Sequence, residues 1–226
     1  MTSSHKQYLD EVANAIESVP RVIPARRALH KAGFSFSKLP FGNQLDIWNY
    51  IWKNSSFWVQ LHAFFFLENS LNRKELFEQL WETSVSWQED VDDWSLCDSL
   101  AKINTKALEL HPEKVYPQLS DWNQSDNLWK RRQSVVSLLY FSRTKKVFLP
   151  FEKIAVLVMP LLKDKEYYVQ KGVGWALREM YTIYPADTFP FLKMHIRNIS
   201  AIAFTISIEK MAEERKNELK RLRIIK

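Results

Sequence analysis

The side chains of this chain best suited to chemistry fall on three helical stretches. In the first, Trp94 and Asp98 stand four residues apart. At about 100° per residue they share one helix face. Leu96, Leu100, Ile103, Ala107 and Leu110 take the core-facing side, while Ala101 and Thr105 continue the face of Trp94 and Asp98. An indole and a carboxylate one turn apart, beside small side chains, leave room for a ligand to approach. The alternative is an indole packed on a neighbouring helix and an acid in water.

In the second stretch Trp175 lies opposite an apolar side made by Val169, Val173, Ala176, Leu177, Met180 and Tyr184. Its companions are Lys171, Arg178 and Thr182. The indole's flat face suits a sugar or base, and the two cations suit phosphate. A surface indole covered by cationic stems is the plainer reading. In the third stretch Arg132 sits on the apolar stripe of Leu128, Val135, Val136 and Leu139. An unpaired buried charge is costly. Arg132 therefore pairs with an acid such as Asp98, lines a phosphate-binding cleft, or snorkels its head to the edge.

Other chemistries lack their residues. There is no GxxxxGK[ST] and no complete GxGxxG; Gly172 and Gly174 read as close helix packing. His5, His30, His62, His111 and His195 show no metal-ligand spacing, so no metal and no cofactor is expected. Cys97, the single cysteine, leans toward the apolar side of its helix and makes a poor nucleophile. No serine sits in a GxSxG elbow. The run of Trp48, Trp52, Trp58, Phe64, Phe65 and Phe66 reads as core.

These residues need rigid elements to hold them, and the 3.6-residue period supplies helices nearly everywhere. The pattern predicts helices over 5–18, 22–32, 43–53, 56–69, 72–85, 91–109, 112–121, 126–143, 151–163, 165–183, 186–197 and 200–216. Prolines 20, 40, 112, 150 and 185 punctuate them. Long helices start near 58, 94, 129 and 167, a recurring length that suggests stacked antiparallel pairs of the HEAT type. The expected fold is all-α, a curved solenoid with a concave basic face, built as one domain over 1–226. The charged end, 212–226, reads as a frayed, solvated helix end.

Length and composition bound the rest. The chain has 226 residues, 46% of them apolar, with only 4 glycines, which disfavours a hairpin-rich β fold. Its apolar runs are too short to span a bilayer, and with one cysteine and no apolar leader a reducing cytoplasm is the expected location. The net charge is +6, unevenly spread. Acids gather at Glu89, Asp90, Asp92, Asp93 and Asp98; Lys130, Arg131, Arg132, Arg143, Lys145 and Lys146 gather over 127–151, without an acid. The second region would draw a polyanion.

Three segments carry a resemblance: DDWSLCDSL at 92–100, SDNLWKRRQSVVSLL at 125–139 and DKEYYVQKGVGWALREMYTIYP at 164–185. They resemble the AlkD-like DNA alkylation repair proteins, HEAT-like repeat DNA glycosylases, most strongly over 72–214. The resemblance implies hydrolysis of the N-glycosidic bond of cationic alkylated purines, 3-methyladenine and 7-methylguanine, in duplex DNA. It places Asp98 as the catalytic carboxylate and Trp94 and Trp175 at the lesion. Arg132, with Lys171, Arg178, Lys130 and Arg131, would meet the DNA backbone. A cationic base is already a good leaving group, so an anion beside the developing oxocarbenium is the chief need. The stretch ARRALHKAGFSFSKLPFGNQ at 25–44 departs from the family's Tyr-bearing segment; Arg26, Arg27, His30 and Lys31 there could still meet a backbone. The alternatives are a non-catalytic relative binding damaged or branched DNA, and a protein-binding helical scaffold. A monomer is expected, with no membrane contact.

Overall fold

The computed structural model describes residues 2–140, 142 and 147–224, and every regular element among them is helical. The chain forms two compact units, divided after Val91.

The first unit holds α1 (Thr2–Glu17), α2 (Ile23–Ala32), α3 (Phe41–Asn54), α4 (Phe57–Ser70) and α5 (Phe77–Trp87). Helix α4 is apolar on every side and packs against all four others. A helix that is hydrophobic all round has no face for water and becomes the centre. Of the aromatic run expected to be core, Trp48, Trp52, Phe64, Phe65 and Phe66 are buried, whereas Trp58 is only half-buried and lines a surface cavity. Trp52 stacks on Trp87 at 4.5 Å, and the Trp87 indole donates to Asn49 Oδ1 at 2.8 Å.

The second unit holds α6 (Trp94–Leu110), α7 (Pro112–Asn123), α8 (Leu128–Leu139), α9 (Phe151–Val158), α10 (Tyr167–Ile183), α11 (Pro185–His195), α12 (Ala201–Ser207) and α13 (Glu213–Ile224). Helices α6, α8, α10 and α12 pack in series as one row. Behind it α7 lies against α6 and α8, α9 against α8 and α10, and α11 against α10. This is a stack of helix pairs, as the recurring helix starts suggest. The pairs begin on caps. Asp93 accepts from the Ser95 amide at 2.7 Å, and Asn127 accepts from the Trp129 amide at 2.8 Å. Pro112 and Pro185 open α7 and α11, where a missing N–H costs nothing.

Four sequence expectations are corrected. The helix expected over 126–143 ends at Leu139, with Tyr140 extended as its C-cap; Arg143, Lys145 and Lys146 lie outside the described residues. The helix expected over 151–163 tightens to a 3-10 turn from Met159, next to Pro160. The helix expected over 200–216 is two, α12 and α13. The charged end is not frayed: Leu219 is fully buried and Arg223 donates to the Ile196 carbonyl at 3.0 Å over the Phe204 ring. The long cationic stems of α13 cover apolar surface that a charge count does not reveal.

Candidate active site cleft

The cleft is assembled from side chains spaced three or four apart on three neighbouring helices. From α6 come Trp94 and Asp98; from α8, Arg132 and Val136, with Tyr140 at its C-cap; from α10, Lys171, Trp175 and Arg178. Ile206 and Glu209 close it from α12 and the following turn. The cavity has a volume of about 350 Å3. Residues four apart on a helix lie one above the other, so three parallel stripes from a packed row converge on one space.

The row can close because its contact residues are small. A Cβ on Gly172 would lie 3.2 Å from Arg132 Cγ and 3.2 Å from Val136 Cγ2. One on Gly174 would meet the Ala203 backbone at 2.8 Å. Both glycines are therefore packing contacts, as their sequence context indicates. Ala101 and Thr105 correct the sequence reading. They do not leave space for a ligand. Both are buried, and the Thr105 hydroxyl donates to the Ser137 carbonyl at 2.6 Å, so helix α8 is what approaches them.

Asp98 and Arg132 form the floor. Arg132 Nη2 donates to Asp98 Oδ1 at 2.7 Å and Nη1 to the Tyr168 carbonyl at 2.8 Å. Burial pulls the guanidinium pKa down, but the Asp98 carboxylate outweighs it and holds Arg132 above its ordinary value. Of the two partners left open by the sequence, the acid is the one present, and the same side chain also lines the cleft. The Asp98 side chain keeps 27% of its surface exposed.

The walls are aromatic. Trp94 is half exposed, and Trp175 is half-buried with its ring 5.6 Å from Tyr140. Burial, with Asp98 close by, pushes the Tyr140 phenol up to about 12, so the ring stays neutral. Sequence reading missed Tyr140. It stands eight residues after Arg132 and four after Val136, on the same stripe, but just past the helix end. Glu209 was also missed: it lies in the turn after α12, where the sequence pattern continues one helix over 200–216.

The cationic residues differ in what they are free to do. Lys171 is exposed over the Tyr167 ring. Arg178 is held by Glu209 at 2.6 Å and by Glu179 at 3.3 Å. Glu179 is buried, yet bonds from Lys210 and Ser142 outweigh that burial and keep its pKa below the usual carboxylate range. Arg131 does not line the cleft. It donates to Asp164 at 2.6 Å and to the Ser125 and Asp126 carbonyls, which ties the start of α8 to the segment before α10. Lys130 is half-buried and also stands outside the cleft. In the first unit Arg27 pairs with Glu68 at 2.7 Å, and Arg26 is turned inward.

With this geometry in place, the comparisons with known proteins are specific. A family model described as DNA alkylation repair enzyme matches residues 7–211, so the match includes the first unit. No curated protein matches. Among solved structures, a predicted DNA alkylation repair enzyme from Enterococcus faecalis superposes with a TM-score of 0.70 at 18% identity, covering 86% of this chain and 87% of that one. AlkD2 from Streptococcus mutans gives 0.62 at 16%, covering 97% of each. The protein smu.31 from Streptococcus mutans UA159 gives 0.60 at 18%, covering 97% and 98%. At these identities the structures show a shared all-α fold.

Proposed function

The chain belongs to the DNA alkylation repair enzyme family, and on that premise we propose that it is a DNA glycosylase. Its substrates would be cationic alkylated purines, 3-methyladenine and 7-methylguanine, in duplex DNA, and its reaction hydrolysis of their N-glycosidic bond. The observation that supports this most is the convergence of Trp94, Asp98, Arg132 and Trp175, from three helices, on one cleft.

The chemistry follows from what each group offers. The positive charge on the base already makes it a leaving group, so the barrier lies in the oxocarbenium character that develops at the sugar. The Asp98 carboxylate stabilises that charge and orients the attacking water. Arg132 takes Oδ1 and fixes the rotamer, which leaves Oδ2 for the sugar. The faces of Trp94 and Trp175 attract a cationic base or an electron-poor sugar by cation–π contact. Lys171 is the cleft's most accessible cation for a flanking phosphate. Arg178 reaches a phosphate only by exchanging it for the Glu209 carboxylate.

The test is release of 7-methylguanine from methylated duplex DNA. Asp98→Asn should lower release by about 100-fold or more, the scale of a lost electrostatic stabiliser, while duplex binding is retained. Binding without release by the wild-type chain would replace the glycosylase with a non-catalytic damage binder.

A further inference from the structure

The first unit carries a second cavity that the cleft chemistry does not use. It has a volume of about 610 Å3 and lies where the C-terminal end of α1, the start of α2 and the N-terminus of α4 meet. Arg26 lines it and is 2% exposed. Its Nη1 donates to the Ile16 carbonyl, and its guanidinium lies 5.4 Å from the centre of the Trp58 ring. Its Nε has no partner. No carboxylate pairs with Arg26 among the described residues. A largely buried guanidinium with one orphaned N–H and no anion beside it is unfavourable. Burial, with Arg21 beside it, lowers its pKa accordingly.

Three further features of the cavity favour an anion. Arg21 lines it as a second cation, itself without an ion pair among the described residues. Helix α4 starts there, and the hydroxyl of its N-cap residue Ser56 makes no cap bond, which leaves the Phe57 and Trp58 amides without a partner in the helix. The 14-residue helix brings the positive end of its dipole to the same wall. One acid, Glu17, also lines the cavity, but it is exposed and makes no bond to either arginine. The wall is thus mainly a set of donors: guanidinium N–H, backbone amides and a hydroxyl. A carboxylate has two oxygens to offer such a set, whereas a tetrahedral phosphate has three or four.

We infer that this cavity is an oxyanion site for a phosphate ester, with Arg26 as its buried anchor and Arg21, Ser56 and the start of α4 as its mouth. The site is independent of the proposed base release, and its failure would leave that reading untouched. The phosphate belongs either to a DNA backbone or to a small free phosphate compound, which share this chemistry.

The full-length chain should be melted in rising inorganic phosphate, with ionic strength held constant by chloride. Wild type should show a saturable rise in Tm. Arg26→Met should lose it, and Arg21→Gln should weaken it several-fold. Glu17→Gln, which removes the competing charge, should strengthen it. These two exposed variants keep the test open if Arg26→Met fails to fold. Duplex binding then separates the sources. A loss in Arg26→Met with a log–log salt slope shallower by about one assigns a backbone phosphate. Unchanged duplex binding with the phosphate response gone assigns a free one. A wild-type Tm no higher in phosphate than in chloride overturns the site. So does an Arg26→Met chain that melts lower yet keeps the phosphate response, since Arg26 would then serve only to cap α1.

Discussion

Arg132 divides its guanidinium between a backbone carbonyl on one side and the Asp98 carboxylate on the other. Losing it removes an ion pair and a charge-assisted bond to a carbonyl, and strands a carboxylate that is only partly solvated. Arg132→Gln should cost about 2 kcal/mol in urea unfolding, and should lower base release more than duplex binding. Equal losses in both would make Arg132 a phosphate contact first and a holder of Asp98 second. At this scale the spacing of four put Trp94 and Asp98 on one helix face, while Arg132 stood out on an apolar stripe and Trp175 opposite one; that the four line one cavity came from the packing. What spacing could not fix was the partner: that the Asp98 carboxylate lies within reach of Arg132 follows only from the packing of α6 beside α8. Tyr140 was hidden for a different reason, since a stripe read as helical stops being trusted where the helix stops.

At the scale of elements, α10 is the hinge of the design, touching α8 on one side and α12 on the other. Its two glycines face different neighbours. Gly174→Ala would drive a methyl into the Ala203 backbone, which cannot move aside; about 2–3 kcal/mol of destabilisation is expected from calorimetry. Gly172→Ala meets side-chain atoms of Arg132 and Val136 at 3.2 Å, which can yield by tenths of an ångström. It should melt closer to wild type while disturbing the Arg132–Asp98 geometry, so its larger effect should be on base release. Equal melting losses in the two variants would contradict this division. The periodicity gave most helices correctly and misassigned one face. In α6, Ala101 and Thr105 lie opposite the leucine stripe, which a two-sided view of a helix takes for surface. A helix inside a stacked row has neighbours on both sides, and small residues there mark the closest approach. The charged α13 misled in the opposite sense, because one buried Leu219 among many cations carries too little weight in a pattern of hydropathy.

For the molecule as a whole, the two units should respond differently to acid. In the first unit His30 and His62 lie 5.7 Å apart between ring centres. Burial holds His30 down at about 4 and His62 at about 3, and neither nitrogen of His62 has a partner. In an unfolded chain both would take up protons near pH 6.5. Below that pH the unfolded state binds more protons, so this stability is complete above 6.5 and drains away as pH falls through 4 to 3, by on the order of a few kcal/mol. Hydrogen exchange at pH 5 should show the amides of α2 and α4 losing protection first, and His62→Phe should flatten the acid response. Protection lost first in α8 and α10 would refute this. One further property of the whole chain follows from its lone thiol. Cys97 is fully buried beneath the cleft, and burial pushes it up to about 12. It should therefore ignore a disulfide reagent in the native state and react with one equivalent in urea. That silence makes the chain a clean background: a cysteine engineered at Trp94 or Lys171 could take a fluorophore alone, and the emission of that label would time the arrival and departure of DNA.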